Sequence, residues 1–430
     1  MNCFSAFTKV PLRWILLIGM GLAAACGVPT SESADRSSTR EYSLRYTLTP
    51  DPATSSVHVA LRVEQPRDLL RKLSFPVNEY ISQLDGDGEL IVDAEWVSWA
   101  PPAGGGTLEW NVVVHHERGS ETFDALLTPQ CGLFRAEDVI PRARTRTLKG
   151  SVSRTKLTFD LPPGWSAITE YSAANELITI ERPERRFDEP TGWIAMGDLG
   201  VRRETIAGTR VAVVAPRGQQ VRRMDILALL NWTLPELSAM LPDALPRLTV
   251  VSAGEPMWRG GLSAPASLFL HAERPLISEN ATSSLLHEVM HTALGLRPRD
   301  GHDWIAEGLA EYYSIELLRR GKAITASRAA TAFAQQQTWA QDAKALCGKA
   351  STGADTALAV ITLRTLDEEL REMSDGEFNL DALLPLLADT TVDLESLTVA
   401  AQSLVGSTPD TLHSESLPGC RTIAGDHQEN

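Results

Sequence analysis

The chain has 430 residues, a formal net charge of −15 and a pI near 5.1. Such an acidic surface argues against nucleic-acid binding, and the length is enough for two or three domains with real cores. Residues 1–25 read as an export signal: Lys9 and Arg13 precede an apolar run from Trp14 to Ala25 that is short for a membrane span.

Leu22-Ala23-Ala24-Ala25-Cys26-Gly27 resembles a bacterial lipobox, in which small residues precede a cysteine that is lipidated and becomes the mature N-terminus. The resemblance implies a membrane anchor at Cys26 and export to a bacterial cell envelope, with Gly27 favouring the outer membrane in a Gram-negative cell. Secretion with cleavage nearby is the other reading. Residues 26–40 are Ser-rich and polar, as expected of a lipidated N-terminus followed by a flexible tether. Beyond Cys26 the cysteines are Cys131, Cys347 and Cys420. In an oxidising compartment Cys347 and Cys420 are the pair within one domain, although sequence alone does not assign it.

Residues 41–208 alternate apolar and polar side chains in short runs, such as Tyr42, Leu44, Tyr46, Leu48 and then Val57, Val59, Leu61, Val63. Period two means half-buried strands, and the expectation is an antiparallel β-sandwich. Asp85-Gly86-Asp87-Gly88 lacks the ligand spacing of a calcium loop and reads as a hairpin turn. His115-His116 is a weak metal cue, because adjacent strand residues point to opposite faces.

The pattern changes in residues 209–323. Thr209 to Ala215 reads as a strand, Val221 to Met240 as a helix, Leu248 to Ser252 as a strand, and Ser267 to Leu270 as an edge strand. Strands that alternate with helices, followed by helices only, predict an α+β catalytic half. Residues 324–430 are Ala- and Leu-rich at helical spacing, which predicts a helical bundle followed by a polar tail.

The chemistry concentrates in His287-Glu288-Val289-Met290-His291 and Trp304-Ile305-Ala306-Glu307-Gly308-Leu309-Ala310-Glu311-Tyr312-Tyr313. Helical residues four apart share a face, so His287 and His291 can present imidazoles to one ion. Glu288 is placed to take a proton from a water that the ion activates. A catalytic Zn2+ wants three protein ligands, and Glu307 is the best third candidate. Gly295 would close the first helix, residues 297–301 would turn, and Asp303 would cap a second helix running to Gly321. Glu311, one turn beyond Glu307, could fix the tautomer of a ligand histidine.

These two segments resemble the gluzincin metallopeptidases, and the glycyl aminopeptidase family is the branch they look most similar to. The resemblance is specific over residues 257–313. It implies a thermolysin-like zinc peptidase domain acting on a peptide or protein substrate. It also assigns the substrate-laying edge strand to Gly260, Gly261 and Leu262 with the run from Ser267 to Leu270. An extended peptide would add there as a strand, and the glycines would permit close approach. The chain departs from the family in three places. Ser263 and Ala264 stand where the family carries a glutamate and a histidine. No tyrosine follows Tyr313 to stabilise an oxyanion, and only 15 residues separate His291 from Glu307. Two readings therefore stand: a zinc peptidase tethered to the envelope, or a weak or inactive relative acting as an anchored binding module.

Overall fold

Strand Glu41–Asp51 shows how alternation becomes structure: Tyr42, Leu44, Tyr46 and Leu48 are buried while the residues between them are not. The computed structural model describes residues 40–171, 177–180, 187–242 and 244–420. The export signal, Cys26 and the tether as far as residue 39 lie outside the described residues.

The N-terminal part builds three sheets. The largest runs in the order Ile178–Ile180, Val152–Phe159, Glu41–Asp51, Ser56–Glu64, Gly105–Val113, Ile81–Gly86. A second has four strands: Arg144–Thr147, Leu70–Pro76, Trp96–Ala100 and Glu89–Val92. The third is Ser166–Ile168, Trp193–Gly197, Cys131–Arg135, Thr122–Leu127 and His115–Gly119. All three contribute to one apolar core, including Leu48, Trp99, Trp110, Phe134 and Ile194.

Two expectations for this region are corrected. Strands Glu41–Asp51 and Val152–Phe159 pair in parallel, so the region is not wholly antiparallel. Alternation reports one buried face and is blind to strand direction. Asp85-Gly86-Asp87-Gly88 is not a hairpin but a corner, because the strand before it belongs to the six-stranded sheet and the strand after it to the four-stranded one. Asp87 holds the corner: its carboxylate accepts from Thr107 N (2.8 Å) and its carbonyl from Trp99 Nε1 (2.7 Å).

Downstream lies a five-stranded mixed sheet in the order Leu199–Ile206, Thr209–Pro216, Arg247–Ala253, Ser267–His271, Gly261–Ala264. The central three are parallel and the outer pairings antiparallel. The expected edge strand is thereby moved. Ser267–His271 is interior and fully buried, and the half-buried Gly261–Ala264 takes the edge. Leu268, Phe269 and Leu270 are buried along consecutive positions, as an interior strand requires. A tight turn at Pro265-Ala266 then sets the preceding residues outside it.

Helix Arg223–Met240 packs on this sheet, and helices Ser284–Leu294, Asp303–Arg320, Ala326–Trp339, Ala354–Met373 and Leu394–Val405 follow. The protein is thus mixed α/β, with its longer helices concentrated downstream of the strands. Cys347 and Cys420 form a disulfide across 73 residues, and Cys131 is free and buried.

The two motif helices are fixed at their ends and at their crossing. Ser283 caps the first, accepting from Leu286 N, and Gly295 ends it with φ 55°, a left-handed conformation suited to glycine. The second helix begins differently from expectation. His302 occupies the cap with no side-chain bond to the helix, while Asp303 is the first helical residue and accepts from Ser351 N at 3.0 Å. Gly308 lets this helix approach Ala354–Met373: a Cβ there would lie 2.8 Å from both Ala359 Cβ and Leu363 Cδ1.

Candidate metal centre

Helix Ser284–Leu294 presents His287 and His291 one turn apart, and helix Asp303–Arg320 brings Glu307 to them. His287 Nε2 lies 3.1 Å from His291 Nε2 and 3.3 Å from a Glu307 oxygen. His291 Nε2 lies 3.3 Å from the other Glu307 oxygen. Among the described residues this is the one group of three His, Cys, Asp or Glu side chains found placed to hold a metal ion.

The triangle fits a tetrahedral cation. Ligand atoms at about 2.0–2.1 Å from zinc stand about 3.3–3.4 Å from one another, because the tetrahedral angle fixes the edge. The two imidazole nitrogens, 3.1 Å apart, are close to that, each has a Glu307 oxygen at 3.3 Å, and one donor atom from each of the three residues lies within 4.8 Å of the others. The donor set of two imidazoles and a carboxylate suits Zn2+ and leaves a fourth position.

Glu311 and Gln336 complete the cluster. Glu311 accepts from His287 Nδ1 at 3.2 Å, which fixes the tautomer whose Nε2 lone pair faces the triangle. Its other oxygen accepts from Gln336 Nε2 at 3.2 Å. Gln336 was not legible in the sequence: it is one of three consecutive glutamines, and only helix Ala326–Trp339 shows that the middle one is buried.

Charge is divided within the cluster. Burial pulls the His287 imidazole down, yet hydrogen bonds to Glu307 and Glu311 outweigh it and hold its pKa up to about 10. Burial pushes Glu307 up, but hydrogen bonds from His287 and His291 outweigh it and bring the carboxyl down to about 2. A proton and a cation therefore compete for the same nitrogen.

Glu288 points elsewhere. It is 9% exposed, and a Cβ built on Gly261 would meet its Cγ at 2.5 Å and its Oε1 at 2.7 Å. The carboxylate therefore rests against the backbone of the edge strand. Gly260 is required for a different reason, since a Cβ there would lie 1.9 Å from the Trp258 ring.

The ladder decides which backbone groups of that strand are free. His271 N donates to Gly260 O, so alternation turns Gly260, Leu262 and Ala264 inward and Gly261 and Ser263 outward. Of the three residues read as substrate-binding, Gly261 alone offers its backbone at the open edge. Ser263 joins it, and the Leu262 carbonyl accepts the Trp193 indole N–H at 3.0 Å. Neither the outward backbone of Ser263 nor the bond from Trp193 carried a signal in the sequence, because register is set by pairing and not by composition.

Other candidates are committed to structure. His115 lies against the Phe123 ring, and His116 against Tyr80. Tyr312 and Tyr313 are buried, and the Tyr313 hydroxyl donates to Asp381 (2.8 Å).

Compared by sequence, the chain matches no family model and no curated protein. Its fold has solved neighbours. An aminopeptidase N family protein from Idiomarina loihiensis aligns at TM-score 0.62 and 15% identity, covering 86% of this chain and 72% of that one. A mutant M1 zinc metallopeptidase from Deinococcus radiodurans aligns at TM-score 0.55 and 15% identity, over 89% and 94%. At this identity the likeness shows a fold shared with these two structures and does not single out the glycyl aminopeptidase branch.

Two outcomes follow. Gly261→Ala displaces the Glu288 carboxylate while sparing the triangle, so zinc content measured by mass spectrometry stays at the wild-type level. Any Glu288-dependent turnover falls about 10²-fold or more, the scale of misplacing a reacting group by about 1 Å. In chelator-treated protein, Glu307 stabilises above its unfolded value of 4.5 and loses that contribution as pH falls toward 2, whereas His287 stabilises below 6.5 and loses it as pH rises through 10. The destabilisation caused by His287→Ala, read from thermal melts, is therefore largest between those unfolded values and shrinks toward alkaline pH.

Proposed function

We propose that the chain is a zinc-dependent peptidase tethered to a bacterial cell envelope. The observation that carries this is the cluster of His287, His291 and Glu307, with one donor atom from each within 4.8 Å of the others, set beside a free strand edge on which Glu288 rests. The aminopeptidase N-like fold supports it.

A Zn2+ held by His287, His291 and Glu307 would lower the pKa of water and polarise a carbonyl oxygen. The protein's own residues do the rest. Gly261 and Ser263 hold the substrate peptide as an added strand, using N–H and C=O groups that no neighbouring strand occupies. Glu288, seated against Gly261, is the general base: it accepts a proton from the attacking water and returns it to the departing amine. Glu311 keeps His287 in one tautomer, and Gln336 keeps Glu311 in place.

Residues 41–208 act in this reading as a sandwich domain, 209–323 as the thermolysin-like catalytic domain, and 324–430 as a helical bundle with a tail. Within the gluzincins, Gly260-Gly261-Leu262 and the two motif helices resemble the glycyl aminopeptidases. One observation favours a second reading, a weak or silent relative serving as an anchored binding module. No tyrosine follows Tyr313, and the loss of one oxyanion donor costs about 10²–10³-fold in turnover.

The test is a mixed peptide library incubated with the zinc-loaded protein and with Glu288→Ala, read by mass spectrometry alongside metal content. Peptidase function predicts cleavage that collapses in Glu288→Ala with zinc retained, and zinc lost in His287→Ala. Zinc retained with no Glu288-dependent cleavage establishes the silent relative. The anchor is tested separately: metabolic labelling with a fatty acid marks the wild-type chain and not Cys26→Ser, and unlabelled wild type refutes lipidation.

A further inference from the structure

Past the triangle, a cleft of about 960 Å3 opens at the end of the edge strand, lined among others by His291, Ser263, Ala264, Arg142 and Arg297. A peptide laid along the outward groups of Gly261 and then Ser263 leaves Glu288 behind and runs into this cleft. The strand therefore aims substrate at it.

The charge there is opposite to that of the whole chain, which is −15. Three arginines and two acids line the cleft: Arg142, Arg247 and Arg297 against Glu170 and Asp389. Arg247 and Glu170 pair at 3.2 Å, and the Asp389 carboxylate is turned against Gly295, where an added Cβ would meet its Oδ1. Arg297 donates to the Asp389 carbonyl, and among the described residues neither Arg142 nor Arg297 forms an ion pair. Both side chains are solvent-accessible. Two guanidiniums without an ion pair among the described residues thus line the cleft into which the strand edge leads, and Ser263 and Ala264 put no acid on the strand beside them. A free α-ammonium would be repelled here, whereas a carboxylate would gain charge-assisted, bidentate bonds.

Building on the peptidase reading, we propose that this cleft is a carboxylate subsite, in which Arg142 and Arg297 select substrates bearing a carboxylate a few residues from the scissile bond. The carboxylate has two sources, an acidic side chain within a longer chain or the C-terminus of the substrate. Both are the same chemistry, and the first makes the enzyme cut internally.

The experiment measures binding by fluorescence anisotropy to full-length, zinc-loaded Glu288→Gln, which holds peptide without turning it over. The probes are labelled, N-acetylated Ala/Ser peptides carrying Glu or Gln at successive positions, each with a free or an amidated C-terminus. At least one carboxylate-bearing probe should bind about three- to tenfold tighter than its neutral partner, less so at high salt. Arg142→Ala/Arg297→Ala, added to Glu288→Gln, should reduce that ratio to below about twofold. A preference that survives amidation assigns the carboxylate to a side chain, and one that amidation abolishes assigns it to the C-terminus. Equal affinities for all probes, or a ratio unchanged in the arginine variant, overturn the proposal. Wild-type cleavage profiled in parallel separates this from the parent reading. Cleavage without discrimination refutes the subsite alone, discrimination without cleavage refutes the peptidase alone, and no binding at all refutes both.

Discussion

Two imidazole nitrogens 3.1 Å apart, each 3.3 Å from one carboxylate, form the constraint on which the rest of the structure depends. Neutral imidazoles facing each other with lone pairs repel, so something positive must lie between them and Glu307. A proton can do this, and a bound cation would do it in its place. The surroundings serve that requirement. Ser283 and Gly295 fix where the first helix starts and stops, and Gly308 draws the second helix against Ala359 and Leu363. Were either helix to rotate by one residue, about 100°, the donors would no longer face one another.

The edge strand is supported from the other side of the molecule. Strand Thr122–Leu127 bonds the segment ahead of it in both directions, with Phe123 N donating to Pro256 O and Phe123 O accepting from Trp258 N. Arg118 stacks on Trp258 at 3.8 Å, and the Trp258 ring fills the space that a side chain at residue 260 would need. Trp193 adds two bonds, from its backbone N to Ser267 Oγ and from its indole to Leu262 O. An apolar cluster running from Phe123 and Trp193 to Val251 and Phe269 joins the two regions. The N-terminal sheets are therefore part of the site's rigidity: they set where the free edge lies relative to Glu288.

The parts of the site legible in the sequence are those governed by a fixed local period. Four-residue spacing on a helix placed His287 with His291 and Glu307 with Glu311, and the flanking Gly295 and Gly321 marked where those helices stop. What escaped depends on pairing across long separations. Alternation could not show that Glu41–Asp51 lies parallel to Val152–Phe159, nor that Asp87 turns the chain from one sheet into another. Apolar residues from 267 to 270 marked a strand, but edge or interior is a property of neighbours, so Ser267–His271 was placed outside and Gly261–Ala264 took that position. Gln336 and Trp193 act through contacts with elements far away in the chain, and their immediate neighbours say nothing about it.

The site therefore divides into a part that the fold dictates and a part that it leaves open. The helix crossing fixes the triangle, and a change at the far end of the edge strand reaches it only through the rigid ladder between them, so effects at the two places should add. Residues such as Ser263, Ala264, Arg142 and Arg297 can then vary without disturbing the chemistry. At 15% identity the neighbours share the architecture, which is the layer set by packing. On the proposed reading, substrate choice lies in the layer set by exposed charge, which a shared fold does not determine. In a chain of net charge −15, two guanidiniums that form no ion pair among the described residues line the cleft at the end of the edge strand, where on the proposed reading that layer would be written.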